Sequence, residues 1–205
     1  MPRIVSRRVE FETPWFRLVS KRVAGEQAPY YSLRLQDYVC VVAITDRDEL
    51  VLVRQYRPAV ERHTLELPSG HVEPTETPAA SARRELAEEC GLDAPRLELL
   101  GTMVSDSGRN ENRVWCFFAP KVSPLGPDYV PEPGVDRVLV RRTKVPRLVR
   151  STKFDHALHV AALMLAVLKH GSGLFALKPT RKPPTTRRPK SDGRRKPKAR
   201  GRKKT

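Results

Sequence analysis

Apolar positions along this chain follow two periods. Val39 to Ile44 is an uninterrupted β-rich run, Asp46-Arg47-Asp48 reads as a turn, and Leu50 to Val53 resumes the run, so a hairpin is expected. Further strand-like runs occupy Leu97–Val104, Arg113–Ala119 and Val135–Arg141. The polar stretches between them, Ser105–Asn112 and Ser123–Gly134, are loops able to carry chemistry. Helical spacing takes over twice. From Thr77 to Cys90 nothing but Pro78 breaks an Ala, Glu and Arg-rich run, and Gly91 follows as a stop, which predicts a capped helix. Phe154, Leu158, Ala161, Leu165 and Leu168 recur at three- and four-residue steps and predict a second amphipathic helix covering one face of a sheet. Residues 12–36 mix aromatic and polar side chains around Ala24-Gly25-Glu26 and suggest a small hairpin or extended arm. Strands flanked by helices make a layered α/β architecture.

Charge changes this picture at one end only. Of the net +16, Lys178–Thr205 carries most, with fourteen Lys/Arg against the single Asp192, and residues 1–177 keep only +3. The segment is Lys, Arg, Pro and Thr with almost nothing apolar, so it cannot offset the entropy of ordering and is expected to be disordered. Nonspecific contact with nucleic acid is its open chemistry, and a solubilising extension is the plainer alternative. The expected organisation is an arm over 1–36, a catalytic domain over 37–172 and a basic tail over 173–205. Cys40, Cys90 and Cys116 form an odd set without CxxC spacing, which argues against a disulfide framework or zinc site and fits a reducing, cytoplasmic setting. With no apolar leader and no run of about 18 apolar residues, a membrane span is not expected.

The chemistry concentrates in Gly70-His-Val-Glu-Pro-Thr-Glu76 and, seven residues later, Arg84-Glu85-Leu86-Ala87-Glu88-Glu89-Cys90-Gly91-Leu92. On a helix, Glu85, Glu88 and Glu89 fall within a sector of roughly 100°, while Ala79, Ala82, Leu86 and Cys90 fall on another face. One face packs and the other gathers carboxylates. Three glutamates at i, i+3 and i+4 repel one another unless something positive sits among them, and oxygen-only ligands suit Mg2+ or Mn2+. A lone ExxEE is usually a solvated acidic face, but with Gly70, Glu76, Arg84, Gly91 and two aliphatics fixed as well, a chance match is on the order of 10⁻¹⁰ per start position.

This stretch resembles the Nudix box, Gly-x5-Glu-x7-Arg-Glu-U-x-Glu-Glu-x-Gly-U with U aliphatic, and it matches every fixed position. The resemblance implies an α/β/α sandwich with a mixed sheet and metal-assisted hydrolysis of a pyrophosphate bond. It implies metal ligation by Glu85 and Glu89, with Glu88 an adjacent ligand or base. Arg84 and Glu76 become a structural pair orienting the helix, and Gly70 and Gly91 the places where the backbone turns tightly. Upstream, Val53-Arg54-Gln55-Tyr56-Arg57-Pro58 and Leu65-Glu66-Leu67-Pro68-Ser69-Gly70 are similar to the ADP-sugar pyrophosphatase branch. That similarity implies that Arg57 and Glu66 meet substrate and that the Ser69 carbonyl meets a metal. It also implies a homodimer, in which Trp15 either stacks on a base or is simply buried. The loop Ser105–Asn112 lacks the proline usual for ADP-ribose pyrophosphatases, which widens the substrate class to other nucleoside diphosphate derivatives. Two loop residues are candidates for an additional catalytic carboxylate, Glu111 and Glu132, with Glu111 placed first. Hydrolysis of nucleoside triphosphates or RNA 5′ ends is the rival activity, and a nucleic-acid recognition module the rival outside enzymes. His156 and His159, three apart with no third ligand in view, read as packing or surface residues.

Overall fold

The computed structural model describes residues 2–176. The basic segment, with the expectations of disorder and nucleic-acid contact attached to it, lies outside the described residues.

Three strands, β1 (Ile4–Glu12), β2 (Phe16–Val23) and β3 (Tyr30–Leu35), form an antiparallel meander where a hairpin or arm was expected. The main sheet contains β4 (Tyr38–Thr45), β5 (Glu49–Arg57), β6 (Arg62–Glu66), β7 (Ser69–His71), β8 (Leu92–Asp93), β9 (Glu98–Met103), β10 (Val114–Pro124) and β11 (Val135–Arg141). Helices α1 (Pro78–Cys90), α2 (Val145–Arg150) and α3 (Ala157–His170) complete the order. Among the described residues, no helix is long and apolar enough to cross a membrane.

The sheet is mixed, in the order β11-β5-β4-β10-β8, with β6 on β5, β7 on β4 and β9 on β10. The expected β4–β5 hairpin is reduced to its turn, where Ile44 faces Leu50. Physically, β4 is apolar on both faces and belongs inside the sheet, not at a hairpin edge. Its residues 38–45 instead pair in parallel with β10, and β7 takes its other edge at Tyr38–Cys40.

Alternation along β4 sorts two cores. Val39, Val41 and Ala43 join Val51, Val53, Phe117 and the α1 residues Ala82, Leu86 and Cys90. Cys40, Val42 and Ile44 join Leu50, Leu52, Phe118, Phe154 and the α3 residues Ala162, Leu163 and Ala166. One helical layer therefore covers each face, giving the α/β/α sandwich. Phe154 is buried before α3 begins and Leu168 is exposed, so the apolar stripe of that helix is shorter than its spacing suggested.

Candidate active site

Helix α1 is built to hold a fixed position. The Thr77 hydroxyl accepts the Ala80 amide at 3.2 Å, Pro78 opens the first turn, and Gly91 closes the last in the left-handed region at φ 63°. An N-cap of this kind contributes about 1 kcal/mol. Leu86 and Cys90 are fully buried against the sheet, which turns Glu85, Glu88 and Glu89 toward β7 and solvent.

The three carboxylates occupy different environments. Glu88 is half-exposed, Glu85 mostly buried, and Glu89 only 5 % exposed. Arg84 supplies the positive charge among them: its Nη1 donates to Glu85 Oε1 at 2.8 Å and Glu88 Oε2 at 2.9 Å. Its Nε donates to both Glu76 oxygens at 3.1 Å and its Nη2 to the His71 carbonyl at 3.0 Å. Ser81 adds a hydroxyl donor to Glu76 at 2.6 Å. Arg84 thus ties the helix to the loop before it while its guanidinium also neutralises two of the glutamates.

Glu89 has no such partner. Among the described residues its one hydrogen-bond donor is the Ser69 amide, at 2.8 Å from Oε2. Burial first, then the charges of Glu85 and Glu132, push its carboxyl up to about 8. Glu85 moves the same way, by burial first, against the opposing pull of Arg84. Among the described residues no Lys or Arg makes an ion pair with Glu89, and a buried carboxylate beside a second one is a donor set that a divalent cation would fit.

Gly70 lies within β7 and adopts no left-handed turn, contrary to the reason expected for it; a Cβ there would run into the Glu85 carboxylate. A side chain at this position would displace the Glu85 carboxylate from its place beside the strand. Gly91 does need its positive φ, and a Cβ there would also meet the Tyr129 ring at 2.5 Å. The Tyr129 hydroxyl in turn donates to the Glu88 carbonyl at 3.1 Å, fastening the Ser123–Gly134 loop to the end of α1.

Beside the carboxylates, Arg57 grips Glu66 with two parallel bonds, Nε to Oε1 and Nη2 to Oε2, each 2.8 Å. Thr64, two residues earlier on the same face of β6, donates to Oε1 at 2.6 Å. Burial raises the Glu66 carboxyl, but the guanidinium fork and the hydroxyl outweigh it and hold the group at about 2. Ser69 is fixed twice more, since Tyr38 donates to its Oγ at 2.7 Å and the neighbouring Pro68 carbonyl accepts the Val41 amide at 2.9 Å. His159, from α3, accepts the Leu67 amide on Nδ1 at 3.1 Å. It is fully buried, correcting the surface alternative, and Glu66, His156 and His159 each bring one nitrogen or oxygen to within 4.8 Å of the others.

The two loop candidates separate. Glu111 is clasped by the N-terminal sheet, receiving Lys21 at 2.7 Å, Ser32 at 2.7 Å and Arg34 at 3.0 Å. These partners outweigh its burial and hold its carboxyl at about 2. Glu132 instead lies close enough to the box for its charge to raise both Glu85 and Glu89. Trp15, at the β1–β2 turn, is 71 % exposed in the single protomer and not part of its core.

Comparison with known proteins follows this geometry. The family model described as NUDIX domain matches residues 34–155, more than half of the chain. An ADP-ribose pyrophosphatase of Bacillus subtilis (strain 168) is 36% identical over 87 residues, 42% of this chain and 47% of that protein. A methanol dehydrogenase activator of Bacillus methanolicus is 34% identical over 99 residues, 48% of this chain and 54% of that protein. The chain thus spans about half the length of these relatives. A crystal structure described as an ADP compounds hydrolase superposes with a TM-score of 0.68 at 23% identity, covering 83% of this chain and 96% of that one, and so shares the fold.

Proposed function

The chain belongs to the Nudix domain family, and on that premise we propose that it hydrolyses the pyrophosphate bond of a nucleoside diphosphate linked to another group. An ADP-sugar such as ADP-ribose is the first candidate, and a nucleoside monophosphate and a sugar phosphate are the products. The observation that carries this reading is Glu89, a buried carboxylate with no ion-pair partner among the described residues, held by the Ser69 amide next to Gly70, on which Glu85 closes. The name of the pyrophosphatase relative supports the substrate class.

Glu85, Glu88, Glu89 and the Ser69 carbonyl are the groups that would hold Mg2+ or Mn2+. When bound, the metal neutralises diphosphate charge and makes an attacking water more acidic. The chain's own residues do the rest. Arg57, clamped by Glu66 through Nε and Nη2, keeps Nη1 for a phosphate or sugar oxygen. Glu132, whose charge acts on Glu85 and Glu89, is assigned to accept the proton of the attacking water. Glu111 keeps the following loop attached to β3 and takes no part in proton transfer. Arg84 and Glu76 hold α1 in register with β7.

We further propose a homodimer through the N-terminal sheet, whose β1 pairs on one edge only among the described residues and which exposes Val9, Phe11 and Trp15. Nonspecific nucleic-acid contact is assigned to the basic segment on its charge alone. The deciding experiment offers nucleotide sugars, dinucleotides and nucleoside triphosphates with Mg2+ in 18O-labelled water and identifies the products by mass. Turnover of an ADP-sugar to AMP and a sugar phosphate is expected. Turnover of triphosphates alone, or of nothing, would sink the reading.

A further inference from the structure

The segment Glu66-Leu67-Pro68-Ser69 joins β6 to β7 and carries two of the groups assigned above, the Glu66 carboxylate and the Ser69 carbonyl. Its backbone is held from three directions. The Ser69 amide is bound by Glu89 of α1, the Pro68 carbonyl by the Val41 amide of β4, and the Leu67 amide by His159 of α3. The first two are a box residue and a strand backbone. The third is a side chain from beyond the matched family segment, 92 residues away in sequence.

An imidazole is a poor choice for that position on packing grounds alone. His159 is fully buried in a helix whose neighbouring core positions are Ala162, Leu163 and Ala166. Its Nε2 has no hydrogen-bond partner among the described residues, and the Nδ1 of His156, stacked on it at 3.8 Å, has none either. An unsatisfied buried polar atom forfeits the hydrogen bonds that water would give it. A leucine would fill similar volume without that cost but could not accept a hydrogen bond. Leu67 is itself wholly buried, so its amide has no water to turn to. What the histidine supplies is one acceptor at one place.

The accepting role also fixes its state. Nδ1 must be unprotonated to receive the Leu67 N–H, so the single proton of the neutral ring sits on Nε2. Burial, then the adjacent His156, keep the ring neutral by lowering its acidity range to about 3. The cluster with Glu66 and His156 is accordingly not a metal site. The Nδ1 lone pair is committed to Leu67, both Glu66 oxygens are committed to Arg57 and Thr64, and a guanidinium stands alongside.

We propose that His159 is a positioning residue for metal binding and turnover, acting through the Leu67 amide to hold the Glu66–Ser69 segment against Glu89. The inference rests on the assignment of Ser69 and Glu89 to the metal. Partners that orient a metal site typically change affinity by 10–100-fold when removed. The test measures Mn2+ binding by electron paramagnetic resonance, without substrate, for full-length wild type, His159→Leu and His159→Asn. The asparagine keeps an acceptor near the position of Nδ1, whereas leucine removes it. Leucine is expected to weaken Mn2+ binding roughly tenfold and to lower kcat more than it changes KM, with asparagine recovering most of both. Unaltered Mn2+ binding in a folded His159→Leu protein, or asparagine as impaired as leucine, would overturn the proposal. Should His159→Leu not fold, the wild-type protein decides it by 15N NMR. An unprotonated Nδ1 with a slowly exchanging Leu67 amide is required, and a protonated Nδ1 or a freely exchanging amide overturns it. A wild-type protein that binds no Mn2+ would instead undo the metal assignment, while the NMR arm still tests the contact.

Discussion

The amide of Ser69 donates to the Oε2 of Glu89 at 2.8 Å, coupling the strand on which the box opens to the most deeply buried carboxylate within it. Replacing Glu89 with Gln removes the charge while keeping an acceptor for that amide. We expect kcat to fall at least about 10²-fold with little change in folding, because a neutral amide is a poorer metal ligand. Steady-state kinetics beside a thermal melt check this, and near wild-type turnover would remove Glu89 from the metal site.

The same carboxyl sets a pH dependence. Its folded value, raised to about 8 by burial and by Glu85 and Glu132, lies above that of an unfolded glutamate. Its contribution to stability is therefore fully present below about pH 4.5 and is lost as pH rises through about 8. Under the proposed metal assignment, a divalent cation would bind the ionised form and offset the loss. The rise in Tm produced by Mg2+ should thus grow between pH 5 and pH 8.5, measured against metal-free protein at each pH. A constant rise, or one that shrinks with pH, would contradict the environment described for Glu89.

Glu111 and Glu132 should fail differently. Glu132→Gln is expected to lower kcat about 10²-fold with stability unchanged, the loss of a proton acceptor. Glu111→Gln should leave kcat close to wild type and cost roughly 1 kcal/mol in urea unfolding, because it weakens the clasp to Lys21 and Arg34. The reverse pattern would exchange their roles.

Gly91→Ala combines two penalties, a β-carbon at φ 63° and a collision with Tyr129. The first costs about 1 kcal/mol of stability, and the second should displace the loop bearing Glu132 and slow turnover. Adding Tyr129→Ala makes room for the methyl without relieving the φ strain. In a double-mutant cycle on unfolding free energy the pair should be less destabilised than the sum of the singles. Strict additivity would show that the ring and the glycine do not meet.

Removing Lys178–Thr205 takes away thirteen net positive charges of the chain's sixteen and none of the residues placed in the site. We expect kcat on a small substrate to be unchanged, while affinity for DNA at low salt, steep in its salt dependence, disappears. Fluorescence anisotropy against ionic strength checks this, and a truncated protein that retains the affinity would relocate it to the folded part.

Much of α1 was legible because its signals are local. Thr77, Pro78, the apolar spacing of Ala82, Leu86 and Cys90, and Gly91 all act within a few residues of where they stand. Strands β4, β5, β9, β10 and β11 were legible too, whereas the short β6, β7 and β8 were not, and neither were strand partners, since the run at Val39–Ile44 says that β4 is buried on both faces without saying that β10 lies beside it. Thr64 and Ser81, close in sequence to the glutamates they serve, could have been found from their spacing along one strand and one turn. Tyr38 and His159 could not, because they reach Ser69 and Leu67 across 31 and 92 residues and nothing local marks them. Glu111 precedes a strand as the resemblance suggested, yet Lys21, Ser32 and Arg34 hold it, and their convergence required the meander's register.

The pairing of β7 with β4 joins Val39 to Gly70 and Cys40 to Ser69, so β4, which contributes no residue to the carboxylate cluster, sets the phase in which that cluster is met. Side chains alternate with period two, and a one-residue insertion in β4 would exchange the set facing α1 with the set facing α3. It would also move Gly70 out of step with Glu85, leaving a bulkier neighbour to confront the carboxyl. The central strand works as a reading frame for the site, in which a change of length does damage that conservative changes of side chain would not.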